Sequence, residues 1–203
     1  MNKDNFAHKA SDWDSPQKIG MTSKFVEEMN KNVELNKSLR VLEIGTGTGL
    51  VGLQILPKVK SAVLVDTSES MLNILRQKLE GIEPVEIVHG EIFEYQRKDI
   101  DLIFSAMAFH HLTDMDRVLK HLYNIMLPGA QIVVGDIRTE DGSFHNFEPI
   151  PHKGFDTDEL GKQFTNAGFK IKSCYTYNLL KKELIPGTIN EYEQFILVAQ
   201  KNI

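Results

Sequence analysis

The sequence predicts an α/β protein, a single domain built on a doubly wound, mostly parallel sheet of seven strands. We expect an antiparallel strand pair at its carboxyl end and a helical lid at its amino end. Three observations predict this fold. Short apolar runs, typical of buried parallel strands, recur from residue 39 onward. Amphipathic segments separate these runs. The last two runs have no helical pattern between them, which indicates an antiparallel connection.

The predicted parallel strands are β-branched-rich and mostly lack the polar alternation of a half-exposed strand. They lie at residues 39–44, 62–65, 85–88, 100–104 and 132–134. Helical periodicity predicts intervening helices over 68–79 and over 115–126, and Pro128-Gly129 closes the second. Strand and helix therefore alternate, as they do in sheets with right-handed crossovers.

The carboxyl-terminal part follows a different pattern. Asp156 has the position of a capping-box residue before a helix that Gly168 ends. Residues 169–177 and 192–200 are then two strand-like runs, predicted to pair antiparallel. The segment between them, 178–191, is predicted as a long loop that passes over a site.

Length and composition define the domain and its surroundings. At 203 residues the chain fits one compact core, so we predict a single domain, with a partly helical segment over residues 1–38 and the main body over 39–203. The net charge of -5, without a dense Lys/Arg cluster, argues against a nucleic-acid partner. No apolar run reaches the ~20 residues that span a bilayer, so no membrane partner is expected.

Cysteine usage indicates the compartment. Cys174 is the single cysteine, which excludes an internal disulfide and a multi-thiolate metal site made by one chain. The amino terminus leads into polar sequence instead of an apolar signal core. These features fit a reducing compartment, and we predict a cytoplasmic protein.

Three alternate glycines, Gly45, Gly47 and Gly49, directly follow the first strand. A strand that turns sharply into a helix near Leu50 needs residues that tolerate positive φ, and bare backbone also lets a ligand approach. A helix amino terminus attracts anionic or strongly polar groups, and open α/β sheets bind ligands at the carboxyl ends of their strands. A dinucleotide fingerprint, G-x-G-x-x-G, would need glycine at position 50, and no P-loop pattern occurs.

The spacing E-x-G-x-G-x-G, here residues 43–49, resembles motif I of the class I S-adenosylmethionine-dependent methyltransferases. Asp66 at the end of the second strand and Glu91 after the third also stand where that family places acidic residues. The segment 105–112, which ends in His-His-Leu, is similar to the corresponding segment of the small-molecule branch. The resemblance covers roughly residues 39–200, and it implies that the segment over residues 1–38 forms a helical lid within the same domain.

The resemblance implies S-adenosylmethionine as cofactor and S-adenosylhomocysteine as product. It assigns the ribose hydroxyls to Asp66, since two carboxylate oxygens suit a vicinal diol, and the adenine edge to Glu91 and its neighbours. The full set of implied cofactor-binding residues is Glu43, Gly45, Thr46, Gly47, Gly49, Asp66, Thr67, Met71, Glu91, Ile92 and Ala106. Ordinary structural roles remain open for some of them: Asp66 could cap the next helix, and Glu91 could be a solvated loop acid.

His110 and His111 stand where the fourth strand meets the predicted crevice, and imidazole can accept a proton near neutral pH. Either histidine is therefore a candidate general base, or it packs against the cofactor or caps the next helix. No metal site is predicted, because adjacent histidines point in different directions and are poor chelators as a pair. Candidate substrate contacts are Trp13, His110, His145 and His152, although a lone Trp and scattered loop aromatics could equally be packing residues.

The predicted function is methyl transfer to oxygen, nitrogen or carbon of a small organic acceptor by a monomer or homodimer. The fourth strand lacks the [DN]-P-P-[YF] tetrapeptide associated with methylation of exocyclic or amide nitrogens, because residues 105–108 are Ser-Ala-Met-Ala. Cys174 provides neither a Pro-Cys nucleophile nor a cysteine cluster. Two alternatives stay open: a cofactor-binding protein without turnover, and an NAD-dependent oxidoreductase, which would need a glycine in place of Leu50.

Overall fold

The computed structural model describes residue 4, residues 7–82 and residues 84–202. Within these residues one sheet has the strand order β3-β2-β1-β4-β5-β7-β6. Its strands are β1 Arg40–Ile44, β2 Ser61–Asp66, β3 Val85–His89, β4 Ile100–Ala106, β5 Met126–Ile137, β6 Phe169–Ile185 and β7 Thr188–Lys201. The α-helices are α1 Pro16–Asn32, α2 Gly52–Ile55, α3 Glu69–Lys78, α4 Met115–Ile125 and α5 Thr157–Asn166.

The pairing of the strands confirms the predicted fold class. The first five strands pair parallel, and β7 runs antiparallel to both β5 and β6. Successive residues of each central strand face two different apolar clusters, as the period of two in a strand requires. One cluster packs beneath α4 and α5, and the other beneath α1, α2 and α3. Helices therefore cover both faces, and the sheet is doubly wound.

The edge strand β3 differs from the prediction of a buried strand. Its residues 85–88 are half-buried, and His89 is exposed. An edge strand has a neighbour on one side only, here β2, so less of its surface is covered.

The prediction of a long loop over residues 178–191 is wrong, because these residues extend β6 and β7 into one hairpin. Its turn needs only Pro186 and Gly187, with Ile185 paired to Thr188. Pro at the first central position and Gly at the second, with a φ of 84° at Gly187, fit a type II turn. Beyond the last β5–β7 pair, Ile137 with Gln194, the strands form a two-stranded arm, which we call the ribbon (residues 178–193).

The amino-terminal segment contains a short 3-10 helix, Ala7–Asp12, followed by α1. Ser15 caps α1, whose buried Phe25, Val26 and Met29 pack on the sheet. Residues 1–3, 5 and 6 of the predicted lid segment lie outside the described residues, and the lid assignment stays a prediction. In the described part of the chain, every helix is too short or too polar to cross a bilayer.

Candidate active site

The glycine turn after β1 has all three glycines at positive φ: 71° at Gly45, 53° at Gly47 and 88° at Gly49. A methyl group at Gly45 would overlap Cβ of Ala108, and one at Gly49 would crowd the side chain of Leu75. Neighbouring segments therefore pack directly on the bare backbone at both positions. At Gly47 a methyl group would meet only the indole nitrogen of Trp13, at 3.6 Å.

The helix that follows this turn is short. It begins at Gly52 and spans four residues before a 3-10 turn, Leu56–Lys58. Because so short a helix aligns few peptide dipoles, its contribution to binding an anionic group is small. The backbone of the turn itself must supply most of the polar contacts.

Glu43 lies beneath the turn with 2% of its surface exposed. The hydroxyl of Thr46 donates to its Oε2 at 2.7 Å, and the Gly52 N–H also donates to the carboxyl. Burial raises the pKa of Glu43 to about 8, with a smaller contribution from the charge of Asp66. The carboxyl is therefore mostly protonated at neutral pH and acts as a neutral support for the turn.

Asp66 joins the glycine turn to the end of β2. Its Oδ2 accepts the Gly47 N–H at 2.7 Å, and its Oδ1 accepts the Ser68 N–H at 2.8 Å. Burial raises the pKa of this carboxyl, and the hydrogen bonds from the backbone oppose that shift. Each oxygen retains a lone pair for a further donor, such as a hydroxyl.

The other predicted cofactor residues lie at or after the carboxyl ends of β2, β3 and β4. The Gly90 N–H donates to the Asp66 carbonyl at 2.9 Å, which brings the end of β3 beside β2. Glu91 is exposed there and precedes a 3-10 turn that begins at the buried Ile92. Thr67 directly follows β2 and is exposed, and Met71 is buried in α3. Ala106, the last residue of β4, is half-buried.

The amino-terminal segment crosses the glycine turn. Asp14 accepts the Thr48 hydroxyl and pairs with the ammonium of Lys78. That ammonium also donates to the Thr48 carbonyl at 2.9 Å. Farther along, Asp4 accepts the Ser70 N–H at 3.1 Å. The sequence reasoning missed Asp14 and Lys78, whose pairing across 64 residues leaves no local pattern.

Trp13 lies beside Gly47 of the glycine turn, and not in the segment that carries the candidate base. The ammonium of Lys18 sits over its ring, 3.1 Å from the centroid. Such a cation over an indole face fixes the ring's orientation. The predicted substrate contact of Trp13 stays a prediction.

His110, at the end of β4, is held by a buried carboxylate. Its Nδ1 lies 2.7 Å from Oδ1 of Asp136, and its N–H donates to Oδ2 at 3.2 Å. His110 is 1% exposed and Asp136 is fully buried. Because the carboxylate accepts the Nδ1 proton, the Nε2 lone pair of neutral His110 is directed away from Asp136.

Asp136 is a residue that the sequence reasoning missed. It follows Gly135 near the end of β5, as Asp66 stands at the end of β2. A polar residue at the carboxyl end of a parallel strand was the signal that could have identified it. Besides its contact with His110, Asp136 binds the neighbouring backbone, because its Oδ1 accepts the Ile137 N–H at 2.7 Å.

His145 comes from the loop after β5 and reaches the same place. Its Nε2 lies 3.1 Å from Nε2 of His110, and its Nδ1 is buried without a hydrogen-bond partner. Burial lowers the pKa of His145 to about 4, helped by the charge of His110 and of Lys182. One ring nitrogen from each of His110, His111 and His145 lies within 4.8 Å of the other two, and we call these residues the histidine cluster.

His152 supports this cluster from the backbone. Its N–H donates to the His110 carbonyl at 3.1 Å, and its ring packs against Phe155 with centroids 5.1 Å apart. The Nε2 of His152 is buried and has no hydrogen-bond partner. The predicted contacts of His110, His145 and His152 with a substrate stay predictions, and the structure brings these three residues together.

Comparison with known proteins finds similarity to methyltransferases. A family model described as "Methyltransferase domain" matches residues 41–129. An uncharacterized methyltransferase of Oceanobacillus iheyensis is 32% identical over 135 residues, which are 64% of this chain and 62% of the relative. Among the first three curated relatives, the chain covers between 52% and 62% of their own length.

Solved structures show the same fold. A SAM-dependent methyltransferase from Aquifex aeolicus superimposes with a TM-score of 0.71 at 22% identity, covering 96% of this chain and 97% of that one. The [4+2]-cyclase SpnF superimposes equally well, with a TM-score of 0.71 at 13% identity, over 89% of this chain and 81% of that one. These superpositions confirm the predicted fold, and the family-model match over residues 41–129 agrees with the predicted resemblance.

Proposed function

We propose that this chain, which carries the methyltransferase domain of the class I, S-adenosylmethionine-dependent family, transfers a methyl group to a small organic acceptor. The acceptor atom is oxygen, nitrogen or carbon. One observation carries the proposal: the glycine turn with Asp66 and the histidine cluster lie at adjoining strand ends of one sheet, and Ala108 packs directly on Gly45. The two parts can therefore serve two molecules that react with each other.

The residues of the turn fit the cofactor. The exposed backbone at Gly47 and the two oxygens of Asp66 together offer a close approach and acceptors for a pair of ribose hydroxyls. Bound S-adenosylmethionine supplies a methyl group on a sulfonium, whose C–S bond breaks with its electrons staying on sulfur as the acceptor's lone pair bonds to carbon. The protein's task is to align the reactants and exclude water.

His110 is positioned to accept the proton that a hydroxyl or amine acceptor loses. Asp136 holds its Nδ1, which leaves the Nε2 lone pair as the basic site and stabilises the imidazolium that forms. His111 and His145 surround that atom, with ring centroids 4.2 and 4.7 Å from the ring of His110. The acceptor thus meets imidazole groups, consistent with a small polar molecule.

A second candidate function is cofactor binding without methyl transfer. The similarity to the cyclase SpnF supports this candidate, because that protein has this fold and a different named activity. An NAD-dependent oxidoreductase is a weaker candidate, since Leu50 occupies the position of the third glycine. A cytoplasmic location and a monomeric or homodimeric state remain predictions from sequence.

Calorimetric titration with S-adenosylmethionine, S-adenosylhomocysteine and NAD separates these candidates. We expect both sulfur compounds to bind and NAD to bind weakly or not at all. Tight binding of NAD without a response to the other two would falsify the proposal. A screen of small hydroxyl, amine and carbon acceptors that follows S-adenosylhomocysteine release then distinguishes an enzyme from a binding protein.

Replacing Asp66 by alanine tests the cofactor site. We expect S-adenosylmethionine binding to weaken by ~1–3 kcal/mol, because hydrogen bonds to a charged group are lost. Asp158→Ala is the matched control, since Asp158 is an exposed acid in the first turn of α5. Equal affinities in both variants would mean that the ribose is held elsewhere.

A further inference from the structure

The histidine cluster has the composition and spacing of a metal site, although adjacent histidines alone did not predict one. His110 and His111 come from the turn after β4, and His145 comes from a 3-10 turn 34 residues farther along the chain. A third histidine from a separate segment changes the argument, because three imidazoles can converge where an adjacent pair cannot. Ring nitrogens of all three residues lie within 4.8 Å of one another.

The distance between the two closest nitrogens fits shared coordination. Nε2 of His110 and Nε2 of His145 are 3.1 Å apart. Two nitrogens bound to one tetrahedral zinc ion at about 2.0–2.1 Å stand roughly 3.3–3.4 Å apart. A shift of a few tenths of an ångström would therefore bring both lone pairs onto one ion.

Asp136 supplies the outer support that metal-binding histidines usually have. It accepts the Nδ1 proton of His110 at 2.7 Å, which directs the Nε2 lone pair toward His145. A carboxylate behind a ligating imidazole fixes its tautomer and raises its basicity. Asp136 also places a negative charge next to the site, while Lys182 is turned to the Phe144 carbonyl, to which its ammonium donates at 2.6 Å.

We propose that His110, His111 and His145 bind a divalent transition-metal ion, with Zn²⁺ as the test ion. Three neutral imidazoles are a ligand set that suits zinc and leaves the fourth position open. His111 and His145 are half-buried, so a small molecule can reach that position.

Together with the proposed methyl transfer, on which this step depends, the open position narrows the acceptor to a hydroxyl compound. A hydroxyl oxygen bound to the ion loses its proton to water near neutral pH. That oxygen then forms the new O–C bond as the C–S bond of the cofactor breaks, with the electron pair remaining on sulfur. With the ion bound, Nε2 of His110 is a ligand, and His110 takes the proton of the acceptor only in the metal-free protein. Asp136 positions the ring in both cases.

Zinc binding is measured on the full chain, without cofactor or acceptor, by competition with a chromophoric chelator. We expect one tightly bound Zn²⁺ per chain, and Co²⁺ in its place should give the intense visible absorption of a tetrahedral site. His111→Gln and His145→Gln should each weaken zinc binding at least tenfold. Asp136→Asn should weaken it by about 10–100-fold, the range for losing an outer-shell partner.

His89→Gln is the control, because His89 is exposed at the end of β3 and pairs with Glu69. Thermal melting by circular dichroism identifies any variant that fails to fold. If the variant of buried Asp136 does not fold, the variants of the two half-buried histidines, His111 and His145, still test the metal site. Zinc affinity that is equal in the cluster variants, the His89 variant and the unaltered protein would overturn the metal site. Titration with S-adenosylmethionine is scored separately, so loss of the metal site and loss of the proposed function give different results.

Discussion

The proposed cofactor side, at the ends of β1, β2 and β3, and the proposed acceptor side, at the ends of β4 and β5, are assembled differently. On the cofactor side Glu43, the glycine turn and Asp66 stand at the ends of neighbouring strands, and backbone N–H groups hold Asp66. On the acceptor side, side chains from three separate segments contact one another: His110, Asp136 and His145. The first arrangement depends on local geometry, and the second on how distant loops are positioned.

The largest expected effect tests whether the acceptor side takes part in the reaction without contributing to cofactor binding. We predict that, in the metal-free protein, His110→Gln lowers kcat by ~10²–10⁴, the usual contribution of a positioned proton acceptor, and leaves affinity for S-adenosylmethionine unchanged. Initial rates with an acceptor from the screen, and calorimetry with the cofactor, measure the two quantities. A higher KM with unchanged kcat would mean that His110 only binds the acceptor.

Glu43→Gln tests the neutral support on the cofactor side. The pKa of Glu43 is raised from 4.5 to about 8 in the folded protein. The contribution of the Glu43 carboxyl to the free energy of unfolding is therefore fully present below about pH 4.5 and is lost as the pH rises to about 8. Gln keeps an acceptor for Thr46 and cannot ionise. At pH 8 the variant should be more stable by a few kcal/mol, on a scale of about 1.4 kcal/mol per pKa unit, with little difference at pH 4.5.

Urea denaturation of both proteins between pH 4.5 and pH 8.5 measures this difference. Other titrating groups are common to the two proteins, so their contributions cancel in the comparison. Parallel stability curves over this range would show that Glu43 is ionised in the folded state.

A pair of glycine substitutions compares the turn with an ordinary helix. Gly45→Ala should lower the free energy of unfolding by about 2 kcal/mol or more, because φ is 71° and the new methyl overlaps Ala108. Gly20→Ala in α1 should raise it by about 0.5–1 kcal/mol, since a methyl group there meets nothing within 4 Å. Chemical denaturation measures both free energies of unfolding. Equal changes in the two variants would mean that glycine is no more necessary in the turn than in α1.

The smallest expected effect concerns the segment that crosses the cofactor side. Asp14→Ala removes partly exposed contacts with Thr48 and Lys78, so S-adenosylmethionine should dissociate a few-fold faster, in line with a pair worth up to about 1 kcal/mol. Trp13 is the single tryptophan of the chain, so stopped-flow fluorescence reports this segment directly. Glu159→Ala, which breaks an exposed pair with Lys162 on α5, is the control.

The contrast between the two sides also explains what the sequence could predict. Glycine spacing and an acid at a strand end are local signals, so Gly45, Gly47 and Asp66 could be identified from the order of residues alone. The contact of His110 with His145 spans 35 residues, and its geometry depends on the path of the intervening loop. No periodicity or spacing encodes that path.

The ribbon was missed for a physical reason of another kind. Its strands extend past the sheet and carry exposed residues, including Leu179, Ile185 and Ile189. A pair of strands with little buried surface needs no alternation of apolar and polar residues, and that alternation is what identifies a half-buried strand. Its hairpin is specified mainly by Pro186 and Gly187, which also occur in irregular loops.

The ribbon touches the acceptor side and leaves the cofactor turn to other elements. Tyr192 shares a 2.7 Å hydrogen bond with Ser143, and its ring packs edge-on to Phe144, both beside His145. Lys182 holds the same loop through the Phe144 carbonyl. Under the proposed function, selection of the methyl donor and of the acceptor therefore falls to different parts of the chain, which can diverge independently. Grafting a foreign ribbon onto this sheet is expected to retarget the protein to new compounds while its donor preference stays the same.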